Sequence, residues 1–142
     1  MKHFTKLIAG LLAFAMIAAS CSSDDGESLS IASILPLTGQ LADFGPSMEN
    51  AVQLAVDQIN EAGGVNGSDV TLIKKDSGTA EDVARTSANE AIADGVAAVL
   101  GAAGSGVTTS LTDLLSQNEI VQISGSATSP QLSGFADNGY LL

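Results

Sequence analysis

The chain has 142 residues, a length that fits one globular domain together with a targeting segment. It is 45% hydrophobic and only 4% aromatic, and its formal net charge is −11; this composition excludes a disordered chain. Lys2 and Lys6 lie near the N-terminus, leaving three basic residues against sixteen acidic ones in the remainder, which excludes the basic footprint that nucleic acid requires.

Residues 1–21 read as a targeting segment and stand apart from the fold. Lys2 and Lys6 form a basic start, and residues 7–19 are an apolar run too short to span a bilayer comfortably. Small residues follow, then Cys21, the only cysteine, which has no partner for an intrachain disulfide. The string AASC looks like a bacterial lipobox, whose cysteine becomes the lipidated N-terminus; such motifs more often carry Leu where Ala18 stands. The plainer alternative is an ordinary secretion signal with Cys21 incidental. Lipidation with two or more acyl chains gives stable anchoring, each buried CH₂ adding about 0.8 kcal/mol. Residues 22–28, SSDDGES, read as a flexible tether.

Residues 29–36 form the first expected strand, apolar on both faces and therefore suited to a sheet covered on both sides. A loop over 37–44 follows, and Pro46 suits the first turn of a helix. Met48, Ala51, Val52, Ala55, Ile59 and Ala62 then recur at helical spacing and predict one buried stripe, which Gly63 and Gly64 stop. Residues 69–75 are a second strand. Thr79 is placed to cap the next helix, with Asp82 favouring its N-terminus; Val83, Ala84, Ala88, Ala91 and Ile92 make its inner face. Residues 96–100 are a third strand, 107–118 a third helix with Leu111, Leu114 and Leu115 inward, 120–124 a fourth strand, and 140–142 the start of a fifth.

The order βαβαβαβ with helical crossovers implies a doubly wound parallel α/β sheet with right-handed connections. The stretch 99–130, VLGAAGSGVTTSLTDLLSQNEIVQISGSATSP, organises it. One strand enters a glycine-rich loop, a helix follows, and a second strand enters a loop of small hydroxyl residues. In an open parallel sheet both loops lie at the carboxyl ends of neighbouring strands, where such sheets bind ligands. The expected strand order is 2-1-3-4, with loops 37–44, 101–106 and 124–130 on one edge.

Absent chemistry narrows the function. The only His is His3, inside the targeting segment, so the remainder has no imidazole base. Ser105 sits between Gly104 and Gly106 without the G-x-S-x-G of a nucleophile elbow. Residues 101–108 have P-loop spacing with Val107 where the phosphate-binding lysine belongs, and no cysteine and histidine cluster suggests a metal. Asp76, after a strand, is weak grounds for a phospho-acceptor. What remains is the start of the third helix, whose free amides near Gly104 favour a carboxylate. Ser105 there either adds a hydroxyl donor or merely caps the helix. Ser126 and Thr128 carry oxygens that can accept from an ammonium, or simply stabilise the turn before Pro130. Facing donors and acceptors of this kind suit a zwitterion.

In this order, LPLTGQLADFG, INEAGGVNG, GAAGSG and ISGSATSP resemble the N-terminal lobe of branched-chain amino acid ABC-transporter substrate-binding proteins, of the type 1 periplasmic-binding-protein fold, over residues 29–142. The resemblance implies an incomplete first lobe, since in that family two α/β lobes close on the ligand. It places Ser105, with Gly104, on the ligand carboxylate, Ser126 and Thr128 on the ammonium, and Phe44 beside the ligand side chain. It also implies a monomeric, non-enzymatic protein without cofactor, exported and held on the outer face of the cytoplasmic membrane by lipidated Cys21, which hands an amino acid to an ABC permease. Two departures stand out: some members have a disulfide in this lobe, for which this chain has no cysteine, and the second-lobe carboxylate of the ammonium site has no counterpart here. The alternative is a sensory or regulatory domain of the same fold for amides, urea or aromatic acids.

Overall fold

A computed structural model describes residues 28–142; the expected targeting segment, Cys21 and residues 22–27 of the tether lie outside the described residues. The elements are β1 (Ser30–Leu35), α1 (Gly45–Glu61), β2 (Thr71–Asp76), α2 (Glu81–Ala93), β3 (Ala98–Gly101), α3 (Ser105–Gln117) and β4 (Val121–Ile123), with a 3₁₀ turn at Pro130–Gly134. Every strand pair is parallel and the sheet order is β2-β1-β3-β4, the order expected from the crossovers. At the far edge the chain end runs parallel to β4: the Gln122 amide donates to the Tyr140 carbonyl (2.7 Å) and the Leu142 amide to the Gln122 carbonyl (2.9 Å). The expected fifth strand is present only as an isolated bridge at Leu141, and the sheet has four strands.

The core lies between the sheet and the pair α2 and α3. Ala32 and Ile34 of β1 and Val99 of β3 pack on Ala84, Ala88 and Ala91 of α2 and on Val107, Leu111 and Leu115 of α3. The three alanines let α2 approach the strands closely, and the longer leucines of α3 fill the remaining space. Gln122 is the largest fully buried polar side chain on this face. It is buried, yet its amide donates to the carbonyls of Gly101 (3.1 Å) and Thr108 (3.3 Å) and its oxygen accepts from the Thr112 hydroxyl (3.0 Å), so its burial leaves no polar atom stranded.

Two local expectations are corrected. Thr79 does not cap α2. Ala80 is the N-cap residue, in extended conformation, and no side chain caps the helix. Thr79 instead adopts φ +52° and turns its hydroxyl to the loop after β1, while Glu81 and Asp82 in the first turn complement the helix dipole. On the same helix Val83, expected inward, is exposed, because it lies over the turn at Gly78 rather than over the sheet.

The stripe of α1 is also rotated from its expected setting. Val56 and Glu49 are the buried side chains, Met48 and Val52 are half-buried, and Ala51, Ala55, Ile59 and Ala62 are exposed. Helix α1 sits over β1 and β2, where Glu49 accepts from the buried Ser33 hydroxyl (2.8 Å) and lies 3.7 Å from the Lys74 ammonium. The neighbouring strip of Ala98, Leu100 and Ile123 on β3 and β4 has no helix over it among the described residues, and a shallow apolar groove runs there beside Val52 and Ile59.

Candidate functional site

Four connections meet at the carboxyl edge of the sheet: the loop after β1, the turn after β2, the loop after β3 and the loop after β4. Their hydrogen bonds are made mostly by short hydroxyl side chains reaching backbone atoms of another loop. The Ser124 hydroxyl donates to the Ala102 carbonyl (2.6 Å) and accepts from the Ala127 amide (3.1 Å). The Ser126 hydroxyl donates to the Ala103 carbonyl (3.0 Å). These bonds hold the loop after β4 against the loop after β3, as the expected sheet order requires.

Helix α3 starts two residues earlier than its apolar spacing predicts, at Ser105, with Gly104 as its N-cap residue and no side-chain cap. Ser105 is thus the first helical residue rather than the cap. Its hydroxyl oxygen accepts from the amides of Thr128 (3.1 Å) and Ser129 (3.2 Å). With both lone pairs engaged, its single hydrogen is left to donate outward. The amides of Ser105, Gly106 and Val107 lie in the first turn, where no intrahelical carbonyl reaches them, while the Thr108 amide returns to the Gly104 carbonyl (2.8 Å). Hydroxyl and amides together form a donor set that suits a carboxylate.

Ser126 has the complementary balance. Its proton is spent on Ala103, so its remaining capacity is to accept. Thr128 is exposed and its hydroxyl has no partner among the described residues, although its amide is held by Ser105. Ser105, Gly104, Ser126 and Thr128 are therefore brought to one edge. Phe44 stands at the start of α1, 58% exposed. It does not line the apolar hollow of about 330 Å³ beside Ser126, which is bounded by Leu35, Met48, Val52, Leu100 and Ile123.

Every cation among the described residues is engaged elsewhere. Lys74 faces Glu49, Lys75 bonds Glu90 and Asp94, and Arg85 donates to the Ser110 carbonyl. This edge therefore offers an anion dipoles and no positive side chain among the described residues. Glu81 lies close to Gly106 and adds negative potential next to the helix start. Among the described residues no group of acidic, histidine or cysteine side chains is arranged to hold a metal ion.

Sequence reasoning overlooked the part played by Asp76. It ends β2 and precedes Ser-Gly-Thr, the pattern of an aspartate that bonds backbone amides in its own turn. Its carboxylate accepts from the amides of Leu37, Thr38 and Gly78 and from the Thr38 hydroxyl. Burial works against its charge, but these four bonds outweigh burial and hold its carboxyl below the ordinary value.

Residues 28–141 match the family model of the periplasmic binding proteins. The chain belongs to that family. It is 33% identical over 133 residues to the Leu/Ile/Val-binding protein BraC3 of Rhizobium johnstonii, covering 94% of this chain and 34% of that relative. To the leucine-, isoleucine-, valine-, threonine- and alanine-binding protein of Pseudomonas aeruginosa it is 33% identical over 143 residues, covering 100% of this chain and 38% of the other. Among solved structures, the branched-chain amino acid transporter substrate binding protein LivJ of Streptococcus pneumoniae, in complex with isoleucine, superposes with a TM-score of 0.75 at 31% identity, over 82% of this chain and 33% of that one. This family member thus spans about a third of the length of the relatives it matches.

Proposed function

We propose that this chain forms one wall of an amino-acid site in a solute-binding protein that serves an ABC importer. The observation that carries the reading is the Ser105 hydroxyl, which accepts from two amides and so presents its proton at the open start of α3. In this reading the ligand carboxylate takes that proton and the first-turn amides, while Ser126 and Thr128 accept from the ammonium. The aliphatic side chain rests toward the hollow between Met48, Val52, Leu100 and Ile123. The relatives' names point to leucine, isoleucine and valine. The role is binding rather than catalysis: the only His is His3 and no nucleophile elbow is present. Export follows from the leader-like residues 1–21, anchoring from lipidated Cys21, and delivery to a membrane permease, as a monomer, from the family.

The site residues on this wall face solvent, where hydrogen bonds to charged groups fall short of the roughly 1.5–3 kcal/mol each contributes when well made. Association itself costs at least about 4 kcal/mol. The chain alone is therefore expected to bind L-leucine with a Kd of about a millimolar or weaker, read by amide NMR as shifts centred on residues 104–107 and 126–128. Ser105→Ala is expected to weaken that binding about tenfold, equivalent to about 1.4 kcal/mol. Leucine shifts centred elsewhere, or a Ser105→Ala variant that binds as the parent does, would refute the assignment.

A further inference from the structure

We propose that Asp76 is a positioning residue for this site: its carboxylate latches the loop after β1 to the turn after β2 and so sets the wall that faces Gly104. The link to ligand rests on the amino-acid reading above; the latch itself rests on geometry. Oδ1 accepts from the amides of Leu37 (2.9 Å), Thr38 (3.1 Å) and Gly78 (2.8 Å), and Oδ2 from the Thr38 hydroxyl (2.5 Å). A second latch lies beside it, where Thr79 Oγ1 accepts from the Leu41 amide (3.1 Å) and donates to the Thr38 carbonyl (3.3 Å). Between the two latches the backbones touch. A Cβ added at Gly39 would stand 1.9 Å from the Gly78 carbonyl oxygen, so neither segment shifts without the other.

The loop carries this restraint to the site. Leu41 faces Gly104, where an added Cβ would lie 3.8 Å from Leu41 Cδ1. Further along, the Phe44 amide donates to the Leu41 carbonyl (3.0 Å), which ties the start of α1 to the same turn. Asp76 bonds none of Ser105, Ser126 and Thr128 and acts on them through the loop. The carboxylate charge gives the latch its strength: an asparagine that keeps its oxygen on the three amides must donate to the Thr38 hydroxyl instead of accepting from it, and hydrogen bonds to an ionised acceptor are roughly twice as strong as those to a neutral one.

The test is amide NMR on the chain with L-leucine as probe, comparing the parent with Thr38→Val, Thr38→Ser, Asp76→Asn and Ile92→Ala. Ile92 packs on the far face against α2's core and serves as a variant that lowers Tm without touching the loops. Thr38→Val and Asp76→Asn are expected to move the Gly104 and Ser105 amides and to weaken leucine binding threefold or more, at a temperature where each is folded. Thr38→Ser, which keeps the hydroxyl, is expected to bind within twofold of the parent, and Ile92→Ala to keep the parent Kd. If Asp76→Asn does not fold, Thr38→Val decides. Unmoved Gly104 and Ser105 amides, or an unchanged Kd, in Thr38→Val would overturn the latch. If the parent does not respond to leucine, the amino-acid reading falls. The latch then stands or falls on the Gly104 and Ser105 amides alone.

Discussion

At Gly101 the chain leaves β3 with φ +130°, and a Cβ there would stand 2.2 Å from the Ile34 carbonyl oxygen on the neighbouring strand. Both the conformation and the space exclude an L side chain, and the contact is backbone, which cannot move aside. Gly101→Ala is expected to destabilise the fold by about 2 kcal/mol or more, read from the urea midpoint; a midpoint like the parent's would contradict this account. Gly104, three residues later, is a different case. Its backbone is extended and an added Cβ makes only ordinary contact with Leu41, so its place at the site follows from position and not from conformational need. Ser105 and Ser126 divide donor and acceptor capacity through bonds to other loops, a division that their residue type alone leaves open.

At the scale of elements, the two faces of the sheet differ in kind. The face under α2 and α3 is a closed core in which Leu111 and Leu115 are fully buried. Among the described residues the other face carries α1 alone, with Ile59 41% and Ile123 39% exposed beside the strip of β3 and β4 that no described helix covers. Leu111→Ala removes a fully buried side chain and is expected to cost about 2–5 kcal/mol. Ile59→Ser, although it replaces an apolar residue of a regular helical stripe, is expected to stay within about 0.5 kcal/mol of the parent. Chemical denaturation of the two variants checks the contrast, and equal losses would mean that the α1 stripe is covered in solution.

For the whole molecule, acid stability turns on how the loops are joined. The Asp76 carboxyl is held below its ordinary value of 3.8, because the hydrogen bonds of the loop after β1 and the turn after β2 outweigh burial. A group depressed in the folded state binds its proton more readily when unfolded. Its contribution is therefore complete above the unfolded value and is lost as pH falls through the folded one. The urea midpoint is expected to drop between pH 5 and pH 3, and to drop less in Asp76→Asn, which has no such proton to bind. Equal pH dependence in the two proteins would remove Asp76 from this role. Because this side chain is only half-buried, the effect is screened and smaller than four good bonds would suggest.

The sequence by itself determined the order of elements, the parallel sheet and the gathering of the loops after β3 and β4 on one edge. Apolar periodicity and crossover length constrain topology strongly, and carboxyl-end loops of a parallel sheet gather on one side. The short hydroxyl residues of GAAGSG and ISGSATSP were legible for the same reason, since they follow strands three and four. The tertiary structure alone decided three things. It rotated α1, because Ser33 and Lys74 on the sheet give Glu49 a buried partner that helical spacing does not reveal. It took Thr79 from the helix cap and gave it to the loop after β1, because that loop supplies both an amide and a carbonyl within reach. And it turned Asp76 from an isolated acid into the joint between two loops, because its partners at Leu37 and Thr38 lie almost forty residues away along the chain and meet it only when β1 and β2 pair.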